Sequence, residues 1–308
     1  MNALPPRTVL KTNARQPRLV RNGFTLVELL VVIGIIALLI SILLPALSAA
    51  REQAKTVKCL SQMRQLGNAF VMYLNENKGW MPSCDTCGPL YPQNFTDPTG
   101  LNIFPSVSAT QTWVGWVDGG PTTAAIQNGL LYKYLKNPAI YKCPSDFNEY
   151  RTRTYSMNSF LCTGDNSWLI TTMFKIYRIT QVGDTAKTIA FAEESDPRTV
   201  GSTDPNVLKN QWNLGGWYEN PLICDTLSGM PEVTQDGWDD TVASWHRGGA
   251  NFTFIDGHAE YWRFTDKRTV NMLKNDPTWP SPRYFTPNDP DLTRIRQDIC
   301  TWPMQRTH

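Results

Sequence analysis

An unbroken apolar run, "FTLVELLVVIGIIALLISILL" at residues 24–44, constrains this chain more than any other feature. At about 1.5 Å of helical rise per residue it is long enough to cross the roughly 30 Å hydrocarbon layer of a bilayer. A single charged residue, Glu28, stands inside it, with no Lys or Arg beside it. An ionised carboxylate at the bilayer centre costs about 2.5–3.5 kcal/mol on insertion scales, and carboxylates within membrane segments are rare and mostly functional.

Charge sets the orientation. Before the run come Arg7, Lys11, Arg15, Arg18 and Arg21 with no Asp or Glu, and the first basic residue after it is Arg51. The positive-inside rule then puts the N-terminus in the cytoplasm and the rest of the chain in the periplasm or outside the cell. Of the 29 Lys and Arg and 27 Asp and Glu in 308 residues, those five basic residues account for the net charge of +2. The remaining body offers no basic surface suited to nucleic acid. "LPALSAA" at 44–50 supplies small residues for a secretory cleavage. A secretory core is shorter, however, and the helical pattern here continues past that point.

Beyond Pro45, Ala50, Ala54, Val57, Leu60, Met63, Leu66, Phe70 and Leu74 form one stripe at helix spacing, with Glu52, Lys55, Lys58, Arg64 and Gln65 on other faces. "NENKGWMP" at 75–82 closes it, with Gly79 as the C-cap and Pro82 just beyond. The spacing predicts one helix over about 24–78, transmembrane over about 24–44 and amphipathic after that. Pro45 is expected to kink or locally melt it.

"RNGFTLVELLVVIGIIALLISILLPAL" at 21–47 resembles the processing and methylation signal of type IV prepilins and type II secretion pseudopilins. The resemblance implies a basic leader, residues 1–23, cut after Gly23 by a prepilin peptidase, with Phe24 as the methylated N-terminus. Glu28 then matches the family's glutamate, and Pro45 falls where these helices commonly carry a proline. It also implies a role for Glu28: in a filament of side-by-side helices, the α-amine of one Phe24 can approach Glu28 of a neighbour, relieving the buried charge and setting the axial register. The partners implied are other pilin-like subunits, a secretion or pilus assembly platform, and membrane lipid before assembly.

From residue 79 to 308 helical periodicity gives way to Pro, Gly, Asn, Thr and Trp. A short helix is predicted over 128–135, and strands over 152–158, 187–195, 251–255 and 258–262. Short strands behind one long helix predict an α+β fold of pilin-like form, the helix packed on a mostly antiparallel sheet with long loops. In "NFTFIDGHAEYW" at 251–262, Asp256-Gly257 predicts a two-residue type I′ hairpin. That register places Thr253 opposite Glu260 and buries Phe252, Phe254, Ala259 and Tyr261. His246 followed by nine residues and Asp256-Gly257 is similar to the C-terminal mark of a group of prepilin-like proteins abundant in planctomycetes and their relatives.

His246, Asp256 and His258 are candidate cation ligands, and the calcium-binding C-terminal loop of the major pseudopilins that this N-terminus resembles makes calcium the ion to expect there. The competing reading, preferred here, is a structural hairpin whose turn is hydrogen-bonded by His246, with no cofactor. Seven cysteines suit an oxidising compartment without fixing their pairing; Cys84 and Cys87 are read as a local disulfide. Trp113 and Trp116 are read as core more than as a sugar-stacking surface. No nucleophile elbow, P-loop or dinucleotide turn appears, so the chain is read as a structural subunit and not as an enzyme. The alternative is a membrane-anchored extracytoplasmic module that binds polysaccharide or cell-wall polymer.

Overall fold

The computed structural model describes residues 25–84, 95–96, 102–104, 112–114, 123–146, 152–158, 160–161, 176–194, 216–217, 237–238, 242–275 and 284–299. The chain divides into two compact units, Met1–Ala49 and Ala50–His308. Helix α1 spans Leu26–Glu76 and is continuous through Pro45, so the local melting expected there does not occur. Proline removes one N–H donor, and a helix this long, with Leu, Ile and Ala around the gap, keeps the rest of its ladder. At the far end Lys78 takes the left-handed conformation (φ 54°) before Gly79 (φ 79°). The Gly79 N–H reaches back to the Leu74 carbonyl at 2.8 Å, a Schellman closure.

Two short strands, β1 (Phe95–Thr96) and β2 (Asn102–Phe104), pair with each other. Helices α2 (Thr123–Asn128) and α3 (Tyr132–Leu135) and a 3₁₀ turn (Pro138–Tyr141) occupy the region where one short helix was expected. The main sheet follows: β3 (Tyr155–Asn158), β4 (Ile189–Glu193), β5 (Gly216–Trp217), β7 (Gly249–Phe254) and β8 (Ala259–Arg263). Its order is β5-β3-β4-β7-β8, antiparallel except for the β3–β5 edge. Strands β6 (Gly237–Trp238) and β9 (Tyr284–Phe285) form a separate pair. Helices α4 (Lys267–Asn275) and α5 (Pro290–Ile299) complete the order.

Register decides what meets the helix. Tyr155 opposes Glu193, Met157 opposes Phe191, and Phe191 opposes Thr253, so these five side chains share one face. That face receives the second half of α1. Phe70 stands edge-on to Phe191 at 5.4 Å, and Thr253 Oγ1 donates to the Met63 carbonyl at 3.1 Å. Gly67 marks the closest approach: a Cβ there would lie 2.5 Å from Thr253 and 2.7 Å from the Gly257 carbonyl. The opposite face holds Phe252, Phe254 and Trp262, with Arg294 of α5 stacked 3.6 Å over the Trp262 ring and Asn158 donating to the Ile299 carbonyl.

Because both faces are covered, β7 is buried at every position, and alternation there could not fix the register. Phe252, not Thr253, opposes Glu260, while Thr253 opposes Ala259. The loop is Ile255-Asp256-Gly257, closed by the Gly257 N–H onto the Phe254 carbonyl, with Gly257 at φ 92° and Asp256 outside the left-handed region. This is a three-residue connection with glycine in the left-handed position, which replaces the expected type I′ turn. Phe252, Phe254 and Ala259 are buried as expected, but Tyr261 is half-buried. The α1 stripe is likewise shorter than expected. Val57 is 61% exposed, and burial begins at Cys59. Trp113 lies in the core, stacked on Tyr141 and edge-on to Phe191, whereas Trp116 lies outside the described residues.

Candidate functional site

Two places carry unusual chemistry. The first is the start of α1. Gly23 and Phe24 lie outside the described residues, but the turn that follows is fixed. Thr25 donates to Glu28 Oε2 through its N–H (2.8 Å) and its hydroxyl (2.7 Å), and the Glu28 N–H donates back to Thr25 Oγ1 at 3.2 Å. This is a capping box, Thr at N-cap and Glu three residues on, legible in "TLVE" but missed from sequence. It satisfies donors that the first turn leaves open and puts a negative charge at the positive end of the helix dipole. Behind it, residues 26–49 leave their large apolar side chains uncovered, Leu26 at 77% and Val27 at 68%. Among the described residues this is the one helix long and apolar enough to cross a membrane.

The second place lies under α1 and centres on His246, though not with the neighbours expected. "WHRGG" turns tightly: Arg247 (φ 54°) and Gly248 (φ 78°) both sit left-handed, and His246 and Gly249 exchange backbone hydrogen bonds. The two-residue turn predicted for the hairpin tip therefore occurs here, at the entry to β7. Tyr261 Oη donates to the His246 carbonyl at 2.6 Å and fixes the residue further. The imidazole then faces α1 and β4. Its Nε2 lies 2.8 Å from Glu193 Oε1 and 3.1 Å from Cys143 Sγ, and its Nδ1 lies 3.3 Å from Thr56 Oγ1.

Cys59 of α1 completes the group, with Sγ 2.5 Å from Glu193 Oε1 and 3.0 Å from Tyr155 Oη. One ligand-capable atom each from Cys59, Cys143, Glu193 and His246 lies within 4.8 Å of every other. Cys59, Glu193 and His246 are wholly buried and Cys143 is 1% exposed. The surroundings hold each side chain in place. The Asn251 N–H donates to Glu193 Oε2 at 2.7 Å, and the Ser145 N–H donates to Cys143 Sγ at 3.3 Å. Tyr155 Oη donates to Gln62 Oε1, whose amide is anchored on the Ala139 carbonyl. Beside Glu193, the buried Asn251 amide has neither its oxygen nor its nitrogen hydrogen-bonded among the described residues. An orphaned amide of this kind costs about 1–3 kcal/mol.

Burial alone would hold His246 neutral. The bonds to Cys143 and Glu193 and the carboxylate charge outweigh it, raising the imidazole to about 10. Burial, reinforced by the neighbouring Cys143 and Glu193, pushes the Cys59 thiol up, and burial likewise raises the Tyr155 phenol. Burial also opposes ionisation of Cys143, but hydrogen bonds with Cys59 and His246 bring that thiol below its ordinary value. Without an added ion, the geometry is a buried imidazolium–carboxylate pair bracketed by two thiols.

The hairpin tip stands apart from this group. Asp256 Oδ1 accepts from the His258 N–H at 3.0 Å and contacts Nδ1 at 2.5 Å, while the His258 ring stacks on Phe254. His246 makes none of its hydrogen bonds to that turn, so the expected support of the turn by His246 is corrected. The Asp256 backbone N–H is held instead by the Thr185 carbonyl, and a Cβ at Gly257 would lie 3.1 Å from Val71 and 3.4 Å from Asn68 of α1. Cys84 is buried, and Cys87 lies outside the described residues. Sequence reading found His246, Asp256 and His258 but missed Cys59, Cys143 and Glu193. The missed residues lie on three separate segments, and no local spacing joins them.

A long N-terminal helix, apolar in its first half and packed through its second half on a mostly antiparallel sheet, is an α+β, pilin-like architecture. Residues 18–44 match the prokaryotic N-terminal methylation motif. Motif and architecture together support a type IV pilin-like precursor whose N-terminal helix is long and apolar enough to cross a membrane. No curated protein and no solved structure matches the chain.

Proposed function

We propose that this chain is a prepilin-type structural subunit. A prepilin peptidase cuts after Gly23, Phe24 becomes the methylated N-terminus, and an assembly platform packs α1 among the helices of other pilin-like subunits in a pilus or type II secretion pseudopilus. Before assembly the helix lies in the cytoplasmic membrane with its N-terminus inside and the sheet domain outside. The His246 and Asp256-Gly257 pattern fits the planctomycete-type group of such proteins. The observation that carries the proposal is the first half of α1: apolar all round, uncovered within the subunit, and opened by a carboxylate at its first turn. Lipid satisfies such a surface before assembly, and neighbouring helices satisfy it afterwards.

Glu28 has two separable tasks, capping its own helix and pairing with a neighbour's amine. Glu28→Gln keeps the hydrogen-bonding shape of the capping box but removes the charge. Processing and membrane insertion should survive, and filaments or secretion should be lost. A Glu28→Gln protein that assembles like the wild type would reduce Glu28 to a cap. Equal function in Glu28→Leu would point to the anchored binding module, which needs hydrophobicity alone.

A further inference from the structure

We propose that Cys59, Cys143, Glu193 and His246 form a structural site for one divalent metal ion of the zinc class, fastening the second half of α1 to the sheet domain. Two sulfurs, an imidazole nitrogen and a carboxylate oxygen are a donor set suited to zinc, and its softness argues against calcium or magnesium. The four residues come from α1, the segment after the 3₁₀ turn, the end of β4 and the turn before β7, yet converge within 4.8 Å. Tetrahedral ligands about 2.0–2.3 Å from an ion stand roughly 3.3–3.8 Å apart, a spacing reached from this arrangement by side-chain shifts of about 1 Å.

The supporting contacts are those a metal site requires. A ligating histidine usually presents its other ring nitrogen to an oxygen. The Thr56 hydroxyl gives its proton to the Glu52 carbonyl, leaving its oxygen to accept from His246 Nδ1 at 3.3 Å, while the Glu52 carboxylate stands 3.9 Å away. Nε2 is thereby directed into the cluster. The second oxygen of Glu193 is held by the Asn251 N–H, so the first faces the two sulfurs. Cys143 Sγ accepts a backbone N–H, which supports a thiolate. It also lines an open groove of about 910 Å³ bordered by Ala54, Val57, Lys58 and Pro144, which gives an ion a way in. Binding displaces the two thiol protons and the Nε2 proton, leaving two thiolates, one carboxylate and one dication with a net charge of −1. With all four positions filled by protein and the ligands buried, the role is structural and not catalytic.

Two other states compete for the same atoms: a Cys59–Cys143 disulfide, which an oxidising compartment favours, and the bare imidazolium–carboxylate pair. The proposal does not rest on filament assembly, because an anchored module would hold the same cluster. Its test uses the detergent-solubilised full chain. Elemental analysis should find about one zinc per chain. Replacement by Co²⁺ should give visible absorption of a tetrahedral site with sulfur-to-cobalt charge transfer. Alkylation under denaturing, chelating and non-reducing conditions should label both Cys59 and Cys143. Stripping with a chelator should lower the melting temperature, and one equivalent of zinc should restore it; these readouts need no variant. Cys143→Ser and His246→Gln should lose the metal, while Cys87→Ser keeps it. A Cys59–Cys143 linked peptide, a reduced protein that takes up neither Zn²⁺ nor Co²⁺, or metal that disappears with Cys87 would each overturn the assignment.

Discussion

The two halves of α1 share one backbone geometry and make opposite demands on their surroundings. Residues 26–49 contain no buried side chain, whereas the stretch from Cys59 to Leu74 buries nine residues against the sheet domain. The first half is apolar on every side and requires an apolar environment on every side. The second half is apolar along one stripe, and its own chain covers that stripe. A helix can thus serve as membrane segment and core element in succession, and the change is marked by where charges return after Glu28, at Arg51, Glu52, Lys55 and Lys58.

Substitutions in the two halves should therefore separate by effect. The largest is expected at Phe70, wholly buried and edge-on to Phe191: Phe70→Ala should cost about 3–5 kcal/mol in denaturant unfolding of the sheet domain. Leu38→Ala, in the uncovered half, should leave that transition in place. Gly67→Ala comes next. Alanine is the better helix former, but its Cβ meets Thr253 and the Gly257 carbonyl, so a net loss of about 1–3 kcal/mol is expected. The matched control is Gly34→Ala, whose Cβ meets nothing within 4 Å and which should be neutral or slightly stabilising in detergent. If the two glycines behaved alike, the division of α1 would be wrong. Gly257→Ala should cost about 1 kcal/mol or more, since φ 92° strains any L side chain. Asp256→Ala should cost less, because Asp256 stays outside the left-handed region and loses only its contacts with His258.

Where a pattern was local, the sequence was readable. The apolar run, the end of α1 near Asn77, the strands at 155–158, 189–193, 249–254 and 259–263, and the burial of Trp113 all follow from periodicity, turn residues or aromatic content. The N-terminus of α5 was also readable and was missed: in "NDPDL" Asp289 caps the helix, accepting from the Asp291 and Leu292 N–H groups, with Pro290 in the first turn. The hairpin register was not readable, because a strand covered on both faces loses the alternation that would reveal it. Nor was the partnership of Cys59, Cys143 and Glu193 with His246, which exists only once α1 lies across β3 and β4. Cys59 falls within the predicted helix and Glu193 within the strand predicted over 187–195, and neither neighbourhood carries a local pattern that links it to His246.

The most direct test of the prepilin assignment is the mass of the N-terminal peptide of the protein recovered from membranes. Prepilin-type processing predicts a chain beginning at Phe24 with one methyl group on its amine, and an uncleaved leader in Gly23→Val. A mature N-terminus near Ala50 would contradict it and make the apolar run a secretory signal.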